Sequence, residues 1–198
     1  MEILIATGNK GKILEYGLLL ADLPIILLSL ADVGLDGMDV EETGVTFHEN
    51  AALKALTYAK ESGKITLADD SGLCVDALGG QPGVHSARYG GNGLDDRGRR
   101  LALLDAMGNV PDELRIAHFE CVIALADPKS MTCSYSYGIC PGRILNADAD
   151  GPEGFGYDAL FVPDGYDQSF AQLTKETKNS ISHRANAAKE LIPILKQL

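Results

Sequence analysis

Glu2-Ile3-Leu4-Ile5-Ala6-Thr7-Gly8-Asn9-Lys10-Gly11-Lys12 is the stretch on which the fold class turns. Residues 2 to 6 form a short run rich in Ile and Leu and read as a strand. Thr7 to Lys12 read as a loop, and the residues that follow, to about Ala21, as a helix. A strand, a glycine loop and a helix in that order belong to an α/β architecture. Amides exposed at a helix N-terminus, with a Lys just after them, make an anion site. The loop is not a Walker A motif, because Gly8 and Gly11-Lys12 lie too close together and Ile13 stands where Ser or Thr should ligate magnesium. The same residues also read as an ordinary strand-to-helix turn capped by Asn9, and spacing alone leaves both readings open.

Working outward, Ile25 to Leu28 is a second extended run, followed by a polar connection through Asp39-Val40-Glu41-Glu42-Thr43-Gly44. Thr46-Phe47-His48-Glu49 fits a capping box, with Thr46 as N-cap and Glu49 at the third helical position, and Gly63 closes the helix. Ile65 to Ala68 and Leu73 to Val75 read as two strands around Asp69-Asp70-Ser71-Gly72, a composition suited to a tight turn. Adjacent strand residues face opposite ways, so one of Asp69 and Asp70 is expected to face a site while the other serves the turn. The glycine-rich stretch from Gly79 to Gly98 reads as a mobile loop near a ligand. A helix is expected from about Arg99 to Met107, then strands from Ala117 to Ala126 and Met131 to Ile139 as a central hairpin. Leu160 to Val162 reads as a short strand, and Ser182 as the cap of a last helix kinked at Pro193. Nothing in the chain repeats or reads as a linker, so residues 1–198 are expected to form one mixed-sheet α/β domain with two lobes.

The chain has 198 residues, 45% of them hydrophobic and 23% charged, which is ordinary usage for a soluble globular protein and excludes a disulfide-stapled miniprotein or a disordered chain. A formal charge of −11 argues against a broad electrostatic grip on nucleic acid, so a phosphate ligand must be met locally by a few cations, by backbone amides, or by a divalent ion bridging carboxylates to phosphate. The longest apolar stretch, Leu23 to Leu28, contains Pro24 and is far too short to span a bilayer. With no basic n-region ahead of the first strand, a cytoplasmic protein is expected. Cys74, Cys121, Cys133 and Cys140 form no C-x-x-C pair and have no His at zinc spacing, so they read as free, mostly buried thiols.

Three further groups carry chemistry. In the acid set Glu41, Glu42, Glu49, Asp69 and Asp70, a carboxylate at the end of a buried strand can bind Mg²⁺ or take a proton from water. The capping box can explain Glu49 without a metal, and solvated loop charge can explain Glu41 and Glu42, so a structural and a chemical reading both stand for each. Lys54 falls one helical turn after Asn50 and shares its face, either as a snorkelling stem or as a phosphate ligand. Phe155-Gly156-Tyr157-Asp158 and Lys178-Asn179-Ser180-Ile181-Ser182-His183-Arg184 hold the parts needed to stack on a purine and read its edge, though aromatic core and a helix cap explain them too.

Together these motifs resemble the inosine triphosphate pyrophosphatase family. The likeness runs through Ala6 to Lys12, Glu41 to Gly44 with Thr46 to Ala51, Ala68 to Leu73, Gly79 to Val84 with Ser86 to Tyr89, Gly154 to Asp158, and Ile181 to Arg184. It implies hydrolysis of non-standard purine nucleoside triphosphates (ITP, dITP, XTP) to monophosphate and pyrophosphate, in an elongated α/β fold with a cleft between two lobes, usually a homodimer. By that resemblance Thr7, Gly8, Asn9, Lys10, Gly11, Lys12 and Lys54 would hold the triphosphate. Glu41 and Asp70 would bind Mg²⁺, Asp70 would be the general base, and Ser71 would touch the nucleotide. Phe155, within Phe155-Gly156-Tyr157-Asp158, would stack on the base, and Asp158, Lys178, His183 and Arg184 would read its edge. Ala159 and Ala185 depart from the Pro and Gly usual at these positions. A phosphohydrolase of other modified nucleotides and a non-catalytic nucleotide-binding module are the competing readings.

Overall fold

The computed structural model describes every residue except Asn92, Asp150, Glu153 and Leu198. In chain order the elements are β1 (Glu2–Ile5), α1 (Lys10–Leu19), β2 (Ile26–Leu28), α2 (Phe47–Ser62), β3 (Ile65–Val75), α3 (Asp96–Met107), β4 (Ile116–Asp127), β5 (Thr132–Ile144), β6 (Phe161–Pro163), α4 (Lys175–Ile181) and α5 (His183–Leu195). The strands form one six-stranded sheet in the order β2-β1-β3-β4-β5-β6. β1 pairs in parallel with both β2 and β3, whereas β5 pairs antiparallel with β6, so the α/β fold is built on a mixed sheet.

Two compact units share this chain. The first comprises Met1–Asp70, Cys121–Gly138 and Arg184–Leu198; the second comprises Ser71–Glu120 and Ile139–His183. Each has its own apolar core. In the first, Ile3 and Ile5 of β1, Tyr16 of α1 and Leu20 at its C-terminal cap, Cys121, Ile123 and Leu125 of β4, and Leu191 and Leu195 of α5 pack together. The recurrence of Ala187, Leu191 and Leu195 along one helical face is what turns α5 inward, and each buried Leu contributes about 1.5–3 kcal/mol of transfer free energy. In the second, Leu73 and Val75 of β3, Ala117 and Phe119 of β4, Leu103 and Met107 of α3, and Phe161 and Phe170 form the cluster.

Local chemistry fixes several boundaries. Thr46 Oγ1 accepts from the Glu49 amide at 3.2 Å and Glu49 Oε2 accepts from the Thr46 amide at 3.2 Å, the expected capping box, and Gly63 ends α2 at φ +66°. α3 starts three residues earlier than the sequence pattern implies, because the Asp95 side chain accepts from the Gly98 amide at 2.7 Å and supplies an N-cap. The glycine-rich stretch is not one open loop: Gly83–Arg88 winds into a 3-10 turn, tied down by Ser86 Oγ, which accepts from the Leu73 amide at 2.9 Å. Ser182 adopts extended geometry between α4 and α5, and its amide donates to the Lys178 carbonyl at 2.9 Å.

The chief correction concerns β3. Asp69-Asp70-Ser71-Gly72 is not a turn between two strands but the middle of one continuous strand of 11 residues. Two adjacent acids are tolerated there because each finds cations or donors on its own face of the sheet. Among the described residues no helix is long and apolar enough to cross a membrane.

Candidate active site

β3 sends its two aspartates to opposite faces of the first unit. Asp70 points toward α2, where Asn50 Nδ2 donates to its Oδ2 at 3.1 Å and Lys54 Nζ lies 3.5 Å from its Oδ1. Asn50 and Lys54 converge on it because they are one helical turn apart. Lys54 also donates to Glu42 Oε1 at 2.6 Å. Burial, followed by the negative field of Glu42, raises the Asp70 carboxyl above the ordinary carboxylate range, against the pull of Lys54. Burial opposes the charge of Lys54 as well, yet Asp70, Asp69 and Glu42 together raise its pKa and keep it an ammonium.

Gly44 makes this corner possible. Its amide donates to Asn50 Oδ1 at 2.8 Å, and a Cβ on Gly44 would sit 2.6 Å from that oxygen and 2.7 Å from Glu49 Cβ. The close approach fixes the Asn50 amide so that its NH₂ aims at Asp70. Glu49 itself is occupied by the cap, accepting from the Val45 amide at 2.7 Å as well as from Thr46. Of the two loop acids, the structure brings Glu42 to the Asp70 group through Lys54, while Glu41 is exposed. The sequence resemblance names Glu41, which precedes Glu42 in the same connection, as the metal partner of Asp70.

Asp69 has a different employment from the turn expected of it. Its Oδ2 lies 3.0 Å from Lys12 Nζ, accepts from Arg184 Nε and Nη2 at 3.3 Å each, and is 3.8 Å from Cys121 Sγ. Burial works against its ionisation, but Lys12, Arg184 and Lys54 outweigh burial and hold the carboxyl well below the usual range. Arg184, only 2% exposed, also pairs with Glu15, and its guanidinium lies over the Tyr16 ring. Within the first unit Arg184 is thus placed on Asp69 and Glu15. At the head of α1, Asn9 Oδ1 accepts from the Gly11 and Lys12 amides at 2.9 and 3.3 Å, and Thr7 Oγ1 accepts from the Asn9 amide at 3.2 Å. The Asn9, Gly11 and Lys12 amides are therefore already engaged within the loop. A Cβ on Gly8 would meet nothing within 4 Å, so its backbone is uncovered on that side.

The second unit carries the other group. Asp158 Oδ2 accepts from Lys178 Nζ at 2.7 Å and from the Phe155 amide at 2.8 Å, and Lys178 Nζ stands 4.9 Å from the Phe155 ring centroid. Gly154, at φ +94°, admits this arrangement, since a Cβ there would lie 2.6 Å from Asp158 Oδ2. The Gly156 amide donates to Asp96 Oδ2 at 2.8 Å, and its carbonyl accepts from Arg100 at 3.1 Å. Tyr157 is buried in the core and its hydroxyl donates to the Ser86 carbonyl at 2.9 Å, so its side chain supports the segment and does not present a face to a ligand. His183 is likewise buried, stacked on Phe119 with ring centroids 4.7 Å apart. Ser71 is half-buried on β3.

The sequence assigns no contact to Asn50 or Glu15, reads Glu42 as loop charge, and leaves Asp69 to a turn or a site. The spacing of Asn50 and Lys54 was the available signal for the first; the partners of Asp69 come from α1 and α5, distances no local pattern spans.

β3 thus carries Asp69 against Lys12 of α1 and Asp70 against Lys54 of α2 on a mixed α/β sheet, and comparison with known proteins narrows what that arrangement belongs to. Residues 3–194 match the model of the Ham1 family, and the chain belongs to that family. It is 43% identical over 198 residues to a dITP/XTP pyrophosphatase of Leifsonia xyli, covering 100% of this chain and 97% of the relative. It is 45% identical over 199 residues to that of Desulforamulus reducens, covering 100% and 97%. The structure of a HAM1 protein from Coxiella burnetii superposes with a TM-score of 0.90 at 38% identity, covering both chains fully. The Staphylococcus aureus Ham1 protein gives 0.86 at 41% identity, covering 100% of this chain and 99% of that one.

Proposed function

We propose that this protein is a nucleoside triphosphate pyrophosphatase. It hydrolyses non-standard purine nucleoside triphosphates (ITP, dITP and XTP) between the α and β phosphates, yielding monophosphate and pyrophosphate. The observation that carries this reading is Asp70. It is a buried carboxylate with a raised proton affinity, held by Asn50 and Lys54, in a chain that matches dITP/XTP pyrophosphatases over its whole length.

In this reading Asp70 accepts the proton of the attacking water, a task favoured by a carboxyl whose pKa lies nearer the working pH than usual. Lys12 and Lys54 bear on the phosphate oxygens, with Lys10 and the uncovered backbone at Gly8 beside them, and the negative charge that develops there is stabilised by their preorganised ammoniums. Asp69 and Arg184 are positioning residues: Asp69 orients Lys12, and Arg184 with Glu15 fixes Asp69.

Lys12, Lys54 and Arg184 stand among Glu15, Glu42, Asp69 and Asp70, so carboxylates outnumber cations in this group. An excess of hard oxygen donors fits Mg²⁺, with Asp70 and the adjacent loop acids Glu41 and Glu42 as the residues that would hold it. When bound, the ion neutralises phosphate charge.

Phe155 stacks on the purine, and Lys178, oriented by Asp158, donates to a 6-oxo group. An ammonium has no acceptor for the 6-amino group of adenine, which is then left unpaired. Replacing Asp70 with Asn is expected to abolish turnover while ITP still binds; an Asn variant that turns over ITP at the parental rate removes Asp70 as the base.

Four free thiols suit a reducing cytoplasmic location. The exposed Tyr135 and Tyr137 on one face of β5 support a homodimer, which sedimentation at two concentrations tests.

A further inference from the structure

Within the second unit, β3 and β4 present different chemistry on their two faces. Leu73, Val75, Ala117 and Phe119 are buried in the apolar core. The residues that alternate with them, Cys74, His118 and Glu120, point the other way. There the Cys74 thiol sulfur, an imidazole nitrogen of His118 and a carboxylate oxygen of Glu120 all lie within 4.8 Å of one another. Among the described residues this is the only such trio of His, Cys, Asp or Glu donors. No spacing along the chain reveals it, because neighbouring strands bring Cys74 and His118 together.

The geometry is close to that of a tetrahedral ion. With Zn–S near 2.3 Å and Zn–N and Zn–O near 2.0–2.2 Å, bound donors stand roughly 3.3–3.8 Å apart. His118 Nε2 and Glu120 Oε2 are already 3.9 Å apart. Small side-chain rotations bring the three into a shell. Cys74 is buried and fixed by its strand, whereas the side chains of His118 and Glu120 are 32% and 22% exposed. That leaves an entry path and room for a water in the fourth position. Burial, then Glu120 and Asp76, push the Cys74 thiol up to about 11, and the field of those acids that disfavours a bare thiolate favours a cation.

We propose that Cys74, His118 and Glu120 bind one divalent transition-metal ion of the Zn²⁺ class, at a site separate from the oxygen donors around Asp70. Thiolate and imidazole donors select such an ion over Mg²⁺ or Ca²⁺. Binding converts the Cys74 thiol to a metal-bound thiolate and releases its proton to solvent. The ion braces β3 against β4 where Cys74 bridges Pro82, at the entry to the turn that carries Ser86.

The test uses the full chain, stripped with a chelator and titrated with Co²⁺ in the presence of excess Mg²⁺. One Co²⁺ per chain is expected, with a near-ultraviolet thiolate-to-cobalt band that Zn²⁺ removes. Cys74→Ser abolishes the band, Cys133→Ser retains it, and His118→Ala, at a half-exposed position that does not threaten folding, weakens Co²⁺ binding at least about tenfold. Absence of the band in the parent, its survival in Cys74→Ser, or an unchanged affinity in His118→Ala overturns the proposal. None of these readouts depends on the nucleotide-hydrolysing activity proposed above.

Discussion

Replacing Asp69 with Asn removes one negative charge from a side chain that is 1% exposed and leaves the volume unchanged. Two cations then lose their shared carboxylate: Lys12, at 3.0 Å, and Arg184, at 3.3 Å, which is itself 2% exposed and also pairs with Glu15. Breaking one side of a buried ion pair costs about 3–5 kcal/mol, and the Asn carbonyl, which still accepts hydrogen bonds, keeps the cost near the lower end, about 3 kcal/mol. For a chain of this size 1 kcal/mol corresponds to about 2–4 °C, so the melting temperature at pH 7 is expected to fall by about 6–12 °C. The pH dependence has a definite sign. Asp69 is held well below its unfolded value of about 3.9, so its stabilisation is fully present above that value and is lost as pH falls toward the folded-state pKa. The difference between parent and Asp69→Asn is therefore constant from pH 8 to 5 and shrinks below about 4. Thermal unfolding followed by circular dichroism reads both quantities. A fall of less than about 2 °C, or a difference that grows on acidification, refutes the reasoning that Asp69 is the charged keystone of Lys12 and Arg184.

Other consequences follow from the same geometry. Asn50→Ala deletes the hydrogen bond that favours the ionised form of Asp70, so the acid limb of the pH–rate profile moves to higher pH, and stability falls by about 1–3 kcal/mol because the Gly44 amide loses its acceptor. Glu42→Gln is expected to raise the Mg²⁺ concentration needed for half-maximal activity more than Glu41→Gln does, since Glu42 shares Lys54 with Asp70; the reverse order would make Glu41 the metal partner. Gly44→Ala places a methyl 2.6 Å from Asn50 Oδ1 and 2.7 Å from Glu49 Cβ of the capping box, so the start of α2 must shift and both kcat and the melting temperature are expected to fall; unaltered values of both would show that the corner has slack.

What could be read from the sequence was what neighbouring residues decide among themselves. The capping box at Thr46 and Glu49, the left-handed Gly63 and the turn of helix that puts Lys54 under Asn50 are all local, and each appears in the structure as the pattern implies. The opposite facing of Asp69 and Asp70 was also legible, because strand alternation is a property of the backbone. The turn assigned around them was wrong for an instructive reason. Asp-Asp-Ser-Gly has turn composition, but Lys12, Arg184, Asn50 and Lys54 supply the partners that let the acids remain in a strand. Those partners come from helices far along the chain. The short α4 was missed because its seven residues carry too little periodicity to show. Tyr157 and His183 look like ligand contacts in sequence, yet both are drawn into the core of their unit by apolar neighbours that only the fold assembles.

The central claim is the reaction itself, and product analysis tests it most directly. The protein is incubated with Mg²⁺ and ITP, dITP, XTP, ATP or GTP, and pyrophosphate and orthophosphate are both quantified. Release of pyrophosphate from ITP, dITP and XTP, with little from ATP or GTP, is the predicted result. Orthophosphate as the product, equal turnover of ATP, or no turnover of any of the five would contradict it.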